Sequence, residues 1–408
     1  MPAVDNRRAV WILHYACAPI IGGVEGIMSE HARVLAAHGH LPRLVAGRGA
    51  PAILVPEIDS RHPDVLAVQA ALDAGQVPAA FAPLRARIRA ALGARLAAEP
   101  AGVVIVHNAF TLHKNLALTA ALADLAAAGT ARCVAWCHDL AWTNPLYQAA
   151  LHPGPPWDLL RTPLPGVQYV AISEERQGEL AGLFGWSRAQ VRRVPNGIDP
   201  VRFLGASPAM AQVLERLAWR ERDPVLLAPV RMTRRKNLEL AIATVAALRD
   251  AGRRPLLLIT GPPGPHNPRQ DYAEFLAAER HRRGLDAEVV FLAQEPWLPD
   301  GVDDALMAEL YRWADALLFP TLQEGFGLPM LEAGLARLPI FCTDLPVLRE
   351  TGGPDVHYLA PETPPAAIAA AIQGVLEGPG APALRRRVLR DYNWESIYRT
   401  GLQPLVGD

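Results

Sequence analysis

The chain has 408 residues, 50% of them hydrophobic, with 40 basic and 41 acidic side chains and a net charge of −1. That length suits two or three domains with sizeable cores. The neutral balance excludes a global field that would draw nucleic acid or an anionic membrane. The four cysteines, Cys17, Cys133, Cys137 and Cys342, are too sparse for a disulfide framework and point to a reducing, cytoplasmic setting.

At the N-terminus Arg7 and Arg8 precede the apolar run AVWILHYACAPII, and Ala16-Cys17-Ala18 imitates a signal-peptide cleavage site. His14 and Tyr15 interrupt that run, and the loop and helix of GGVEGIMSEHARVLAAHG need it as a neighbouring strand. It therefore reads as the first strand of the fold. No stretch approaches the roughly eighteen apolar residues of a membrane-spanning helix. Further strands are expected at 41–46, 102–107, 132–137, 167–172 and 191–194, with helices near 24–38, 83–98, 115–128 and 173–184. A second series runs 224–230, 254–260, 287–293, 316–320 and 338–343, with helices near 236–251, 269–283, 303–314, 328–336 and 364–377. Such alternation marks α/β architecture with parallel sheets. It predicts two Rossmann-like doubly wound domains, 1–200 and 201–390, facing a cleft, with 391–408 as a helix packing back toward the first. Ligands of such sheets bind beyond the carboxyl ends of the strands, so residues just after strands carry the chemistry.

Four post-strand segments stand out. Gly22 and Gly23 open the first helix, where backbone N–H groups can face an anion or a hydroxylated ligand, although the spacing is not the dinucleotide pattern GxGxxG. His138 and Asp139 follow WC at a strand end; the imidazole can contact substrate or titrate near neutral pH, and the aspartate can orient it or bind a hydroxyl. A zinc reading of Cys133, Cys137 and His138 is disfavoured, because the cysteines alternate on a buried strand while His138 faces the other way. Arg231 and Lys236, within RMTRRKN, follow the strand that opens the second domain and can reach one diphosphate. The segment QEGFGLPMLE places Glu324 before a glycine turn and Glu332 within the helix that Pro329 starts. A helix N-terminus attracts anions, so two carboxylates beside it point to hydroxyl groups as their partners. Each segment also has a plainer reading, as a tight turn, a packed strand end, a solvated basic turn or a first-turn helix charge.

Together these segments resemble the retaining GT-B glycosyltransferases of family 4, along nearly the whole chain. The resemblance rests on the Gly-Gly turn, the His-Asp pair, VPNGID at 194–199, the Arg and Lys-Asn pair, and the two glutamates spaced as E-x7-E. It implies a nucleotide-sugar-binding second domain and an acceptor-side first domain. Arg231 and Lys236 would bind the donor diphosphate, Glu332 the ribose, and Glu324 would lie at the transferred sugar. Gly22 and Gly23 would face the phosphates, His138 the reacting ring, and Ala293 and Gln294 the base. Donor contacts would run on through Gly325, Phe326, Gly327 and Leu328. The implied reaction moves a hexose-type sugar from a UDP- or GDP-linked donor to a hydroxyl by front-face substitution, with no metal and no further cofactor. The sequence departs from the family at EAGLARLPI, with Arg337 where glycine is common and Gly334 where a larger residue is common. The proline-rich loop 261–272 is also long and brings His266 and Asn267 after a strand.

Acceptor contacts are expected from first-domain loops, with Asn108, His113, Lys114 and Asp139 as candidates and His107 beside them. The acceptor itself is open: small solute, glycan or glycolipid. The basic, partly amphipathic stretch 83–98 allows peripheral membrane contact without favouring it, and RRRVLR at 385–390 reads as a solvated helix face. Domain closure on nucleotide is a further expectation. Two other classes share the architecture: a nucleotide-sugar epimerase, and a non-catalytic sugar-nucleotide-binding subunit.

Overall fold

The structure, a computed structural model, describes residues 9–263 and 271–407. The chain divides into two compact units, residues 1–198 with 392–408, and residues 199–391.

The first unit is built on strands β1 (Ala9–Leu13), β2 (Leu41–Ala46), β3 (Ile53–Leu54), β4 (Ala101–His107), β5 (Arg132–Cys137), β6 (Val167–Ala171) and β7 (Arg192–Arg193). They form one sheet in the order β3-β2-β1-β4-β5-β6-β7, and every pairing is parallel. Because side chains alternate across a strand, each strand feeds two cores. Ala9, Trp11 and Leu13 join Val104, Val106, Cys133, Ala135 and Cys137 on one face, and Val10 and Ile12 join Val103, Ile105, Val134 and Trp136 on the other. Near-continuous apolar strands are what a sheet covered on both faces requires.

Helices α1 (Gly23–Ala37), α2 (Pro63–Asp73), α3 (Phe81–Ala98), α4 (Leu116–Ala127) and α5 (Glu174–Phe184) follow the helical period. In α3 the buried positions are Phe81, Leu84, Ile88, Leu92 and Leu96, one stripe. Two of its arginines are engaged inside the unit, Arg85 with Asp124 and Arg87 with Asp64. Ser173 caps α5 by accepting from the Arg176 N–H at 3.1 Å. The second core is completed by the last residues of the chain, from which Trp394, Ile397, Tyr398, Leu402 and Leu405 pack beneath the sheet. A Cβ on Gly197 would meet the Trp394 ring at 2.9 Å, and one on Gly401 would meet Val194 at 2.3 Å, so both approaches demand glycine.

The second unit contains α6 (Pro200–Leu204), α7 (Pro208–Arg216), β8 (Val225–Ala228), α8 (Leu238–Asp250), β9 (Leu256–Ile259), α9 (Asp271–Arg282), β10 (Val289–Phe291), α10 (Asp304–Trp313), β11 (Ala316–Phe319), α11 (Leu328–Leu335), β12 (Ile340–Thr343), α12 (Pro346–Gly352), β13 (His357–Leu359), α13 (Pro365–Glu377) and α14 (Ala381–Asp391). Its parallel sheet runs β10-β9-β8-β11-β12-β13. The doubly wound α/β expectation holds for both units. Short or weakly apolar elements, β3, α2, α12 and β13, were not foreseen.

One expectation is overturned in part in α14, where Arg387 and Arg390 are exposed but two other arginines are engaged. Arg385 donates to the carbonyls of Arg312, Trp313 and Ala314, closing the end of α10, and Arg386 pairs with Asp223. These arginines anchor the helix rather than solvate it, because free carbonyls at a helix end need donors. Among the described residues no helix is long and apolar enough to cross a membrane.

Candidate functional site

In the second unit the charged residues gather beyond the ends of β8 and β11. Lys236 sits in a tight turn after β8, and its ammonium is paired with Glu324 and lies 4.9 Å from the Phe319 ring centroid. The two segments are tied together by backbone as well: the Leu322 N–H donates to the Arg235 carbonyl at 2.7 Å and the Thr321 hydroxyl to the same oxygen at 3.0 Å. Glu324 also accepts the Gly325 N–H at 3.0 Å. Burial alone would raise the Glu324 carboxyl, but Lys236 and the Gly325 N–H outweigh it and hold the group below its ordinary value. Burial draws the Lys236 ammonium down, against the pull of Glu324. The pair is therefore charged near neutral pH and shielded from water, with Lys236 only 7% exposed.

Arg231 is exposed and, among the described residues, has no ion pair or side-chain hydrogen bond, which leaves a free guanidinium beside that pair's segment. The chain leaving β9 passes hard against it: a Cβ on Gly261 would stand 2.6 Å from the Arg231 nitrogen. The loop 324–328 then enters α11. Gly327 has φ +93°, and a Cβ there would meet Leu348 at 2.8 Å, so glycine is required twice over. Phe326 and Leu328 are exposed, and Gly325 has open space around it. Glu332, one turn into α11, accepts a 2.5 Å hydrogen bond from the Tyr311 hydroxyl. Burial first, and then that bond to Glu332, pushes the Tyr311 phenol upward, so it stays a donor and fixes one carboxylate oxygen. Tyr311 was not foreseen; it lies in the buried stripe of α10, where an aromatic reads as core. Ala293 and Gln294 occupy the single turn after β10, the former half-buried and the latter exposed. His266 and Asn267 lie outside the described residues.

The first unit gathers histidines instead. His14, His107 and His138 follow Ile12, Ile105 and Trp136 by two positions on the adjacent strands β1, β4 and β5, so all three emerge on one sheet face at the carboxyl ends. His31, from α1 on that face, packs 4.5 Å edge-on from Trp136 and 5.2 Å from His107, centroid to centroid. His14 Nδ1 lies 3.0 Å from the His107 carbonyl, and His107 Nδ1 lies 2.9 Å from His138 Nε2. Burial lowers all four imidazoles, His138 to about 4 and His31 to about 3.

This corrects two expectations. His138 does not titrate near neutral pH, because it is desolvated among other rings with no carboxylate against it. Asp139 does not orient it: that carboxylate faces Arg176 at 3.9 Å, and the ring partner of His138 is His107. Parity along three neighbouring strands was the signal that could have revealed the cluster.

Of the acceptor candidates, Lys114 is exposed and Asp139 half-buried, but Asn108 is only 5% exposed. Its Oδ1 accepts the backbone N–H groups of His138 at 2.9 Å and Asp139 at 3.3 Å, so it shapes the turn after β5. His107 is fully buried. His113 is half-buried, with its ring 5.0 Å from Tyr147. Gly22 is the extended cap of α1, and the Glu25 carboxylate folds to within 2.1 Å of where a Cβ on it would stand, while Gly23 is open. Cys133 and Cys137 are free, buried and on the face opposite to Val134 and Trp136. Among the described residues no group of three or more His, Cys, Asp or Glu is placed to hold a metal ion.

Residues 21–202 match the family model described as Glycosyltransferase Family 4, and residues 211–392 that described as Glycosyl transferases group 1. The chain is 31% identical over 123 residues to the serotype-specific mannosyltransferase WbdA of Escherichia coli, which is 25% of this chain and 15% of that protein. It is 30% identical over 179 residues to D-inositol 3-phosphate glycosyltransferase of Nocardia farcinica, 43% of this chain and 37% of that one. The chain thus covers well under half the length of these two relatives. Among solved structures, a glycosyltransferase from Rickettsia africae aligns over 98% of both chains at 14% identity with a TM-score of 0.36. Anabaena HepE in complex with UDP aligns over 98% of this chain and 99% of that one at 15% identity, with a TM-score of 0.36. Scores this low leave the fold to be read from the chain's own two sheets. With the two family models spanning most of the chain in order, one on each unit, the chain belongs to the GT-B glycosyltransferases of family 4 type.

Proposed function

We propose that the protein is a retaining glycosyltransferase that moves a hexose-type sugar from a UDP- or GDP-linked donor to a hydroxyl group. The observation that carries this reading is the pair of carboxylates flanking the N-terminus of α11, Glu324 held by Lys236 and Glu332 held by Tyr311. Glu324 is fixed by the Lys236 ammonium on one oxygen and the Gly325 N–H on the other, and Glu332 by the Tyr311 hydroxyl on one oxygen, which leaves further lone pairs for ligand hydroxyls. Arg231, Lys236 and the positive dipole end of α11 favour negative charge, which grows on the diphosphate as the bond to the sugar breaks.

In this reading the C1–O bond to the diphosphate breaks, the acceptor oxygen bonds to C1 on the same face, and the acceptor proton passes to the leaving phosphate oxygen. Glu324 positions the sugar and stabilises developing positive charge rather than acting as a base. Glu332 takes the ribose, Ala293 and Gln294 the base, Gly22 and Gly23 the phosphates, and His138 the reacting ring. Lys114 and Asp139 remain the acceptor candidates with accessible side chains. No step calls for a metal ion.

A panel of nucleotide sugars with chelator present, followed by free nucleoside diphosphate and sugar products, tests this with Glu324→Ala alongside. Diphosphate release from one donor, abolished by the substitution, supports transfer. A rearranged nucleotide sugar with no diphosphate released would make the protein an epimerase, and nucleotide binding without turnover across an acceptor panel would make it a binding subunit.

A further inference from the structure

The histidine cluster constrains which ring nitrogens carry protons. A carbonyl only accepts, so His14 donates through Nδ1–H to the His107 carbonyl, and burial keeps that ring neutral with a bare Nε2. Between His107 Nδ1 and His138 Nε2, 2.9 Å apart, one nitrogen donates and the other accepts. The interior decides which. His107 is fully buried and its Nε2 has no partner. If His107 accepted through Nδ1, its proton would sit on Nε2 as a buried N–H without an acceptor, the rarer and costlier defect; if it donates, only a bare lone pair is left inside. At the other ring either choice is tolerable, because His138 is half-buried and, among the described residues, its Nδ1 is not one of the buried atoms left without a partner.

We propose that His107 is a positioning residue for His138: it donates from Nδ1 to His138 Nε2, and so holds His138 as the Nδ1–H tautomer, a neutral hydrogen-bond donor at the accessible face. The titratable groups around the pair do not oppose this. His31 and His14 face it as neutral rings, and Glu25 and Lys114 act on His14 from α1 and from the loop after β4 with opposite sign. A fixed donor suits a ring that hydrogen-bonds a sugar oxygen and is unsuited to taking a proton from an acceptor hydroxyl. The tautomer stands independently of the proposed function; its kinetic consequence rests on the reading that His138 meets the sugar.

Two-bond proton–nitrogen correlation spectra of the full chain labelled with 15N-histidine test the tautomer directly, with His138 assigned by the loss of its signals in His138→Gln. The expected pattern for His138 is a protonated Nδ1 and a bare Nε2. His107→Phe should shift the ring toward Nε2–H, and His107→Asn, whose amide N–H stands in for Nδ1–H, should restore the original pattern. A protonated Nε2 on His138 in the unaltered protein overturns the proposal without any variant having to fold, and so does an unchanged pattern in folded His107→Phe. On transfer, His107→Phe should lower kcat by about 10- to 100-fold, as small misplacements of a contacting group do, with donor KM changed by less than about threefold and partial rescue in His107→Asn. A changed tautomer with unchanged kcat would instead overturn the placement of His138 at the sugar.

Discussion

The two units solve one architectural problem with opposite electrostatics. Beyond the strand ends of the first, four imidazoles are stripped of charge by burial, and no carboxylate stands against His138 to restore it. Beyond the strand ends of the second, Lys236 and Glu324 keep full charge because each is the other's partner. The same parallel scaffold thus offers neutral donors in one place and fixed charges in another. The difference lies in whether burial meets a counter-charge.

The sharpest way to break that contrast is Glu324→Ala. It leaves a buried ammonium unpaired and removes the carboxylate proposed to position the sugar, so transfer should fall by about 100-fold or more, and stability by about 1–3 kcal/mol for the unpaired group, read from initial rates and urea unfolding. Glu324→Gln keeps a hydrogen-bond acceptor for Lys236 and should recover more stability than activity.

Acid should separate the units next. The four imidazoles sit below their ordinary value of 6.5 in the folded chain, so the unfolded chain binds more protons as pH falls under that value. Stability contributed by their neutrality is complete above about pH 7 and is lost as pH drops through 6.5 toward 4, with a slope near 1.4 kcal/mol per pH unit for each fully shifted ring. Glu324 is depressed from 4.5, so its contribution is lost only under that pH. Hydrogen exchange near pH 5.5 should therefore show protection falling first in the first unit. His31→Leu should flatten the slope, because both ring nitrogens of His31 are buried without partners.

A finer test concerns Glu332. If Tyr311 presents its carboxylate, Tyr311→Phe should raise donor KM by about 3- to 10-fold with kcat little changed, the loss expected of one hydrogen bond to a charged group. An equal fall in kcat would place Tyr311 in the transition state instead.

The smallest effects belong to the end of α11. Arg337 has φ +57°, the left-handed conformation that closes the helix, with its N–H on the Gly334 carbonyl at 3.0 Å and the Leu338 N–H on the Ala333 carbonyl at 2.9 Å. This explains why glycine is common there, and Arg337→Gly should stabilise by about 1 kcal/mol. Gly334 sits inside the helix with open space around it, so Gly334→Ala should add about 0.5–1 kcal/mol, both read as a rise in Tm.

Much of this was legible in the sequence wherever a long apolar period fixed an element, as for β1, β4, β5, α3 and α8. Elements whose burial is decided by neighbours were not, such as the two-residue β3 and the short α12. The site divided the same way. Charged residues after strands announced themselves, since a charge needs a reason to sit there. Tyr311 did not, because it lies inside an apolar period and differs from core only in the hydrogen bond its hydroxyl makes; His107 was read with the acceptor loop, and its contact with the His138 ring was not legible.

Residues 392–407 also decide the order in which the molecule can be made. The second unit is one continuous stretch and can complete itself as soon as it leaves the ribosome. The first must wait: Trp394, Ile397, Tyr398, Leu402 and Leu405 belong beneath its sheet, and the Trp394 ring stands 5.3 Å from His31. The strands of the first unit are made well before the residues that complete its core, and until those arrive α1 alone, through Met28, Val34 and Leu35, covers that face of the sheet.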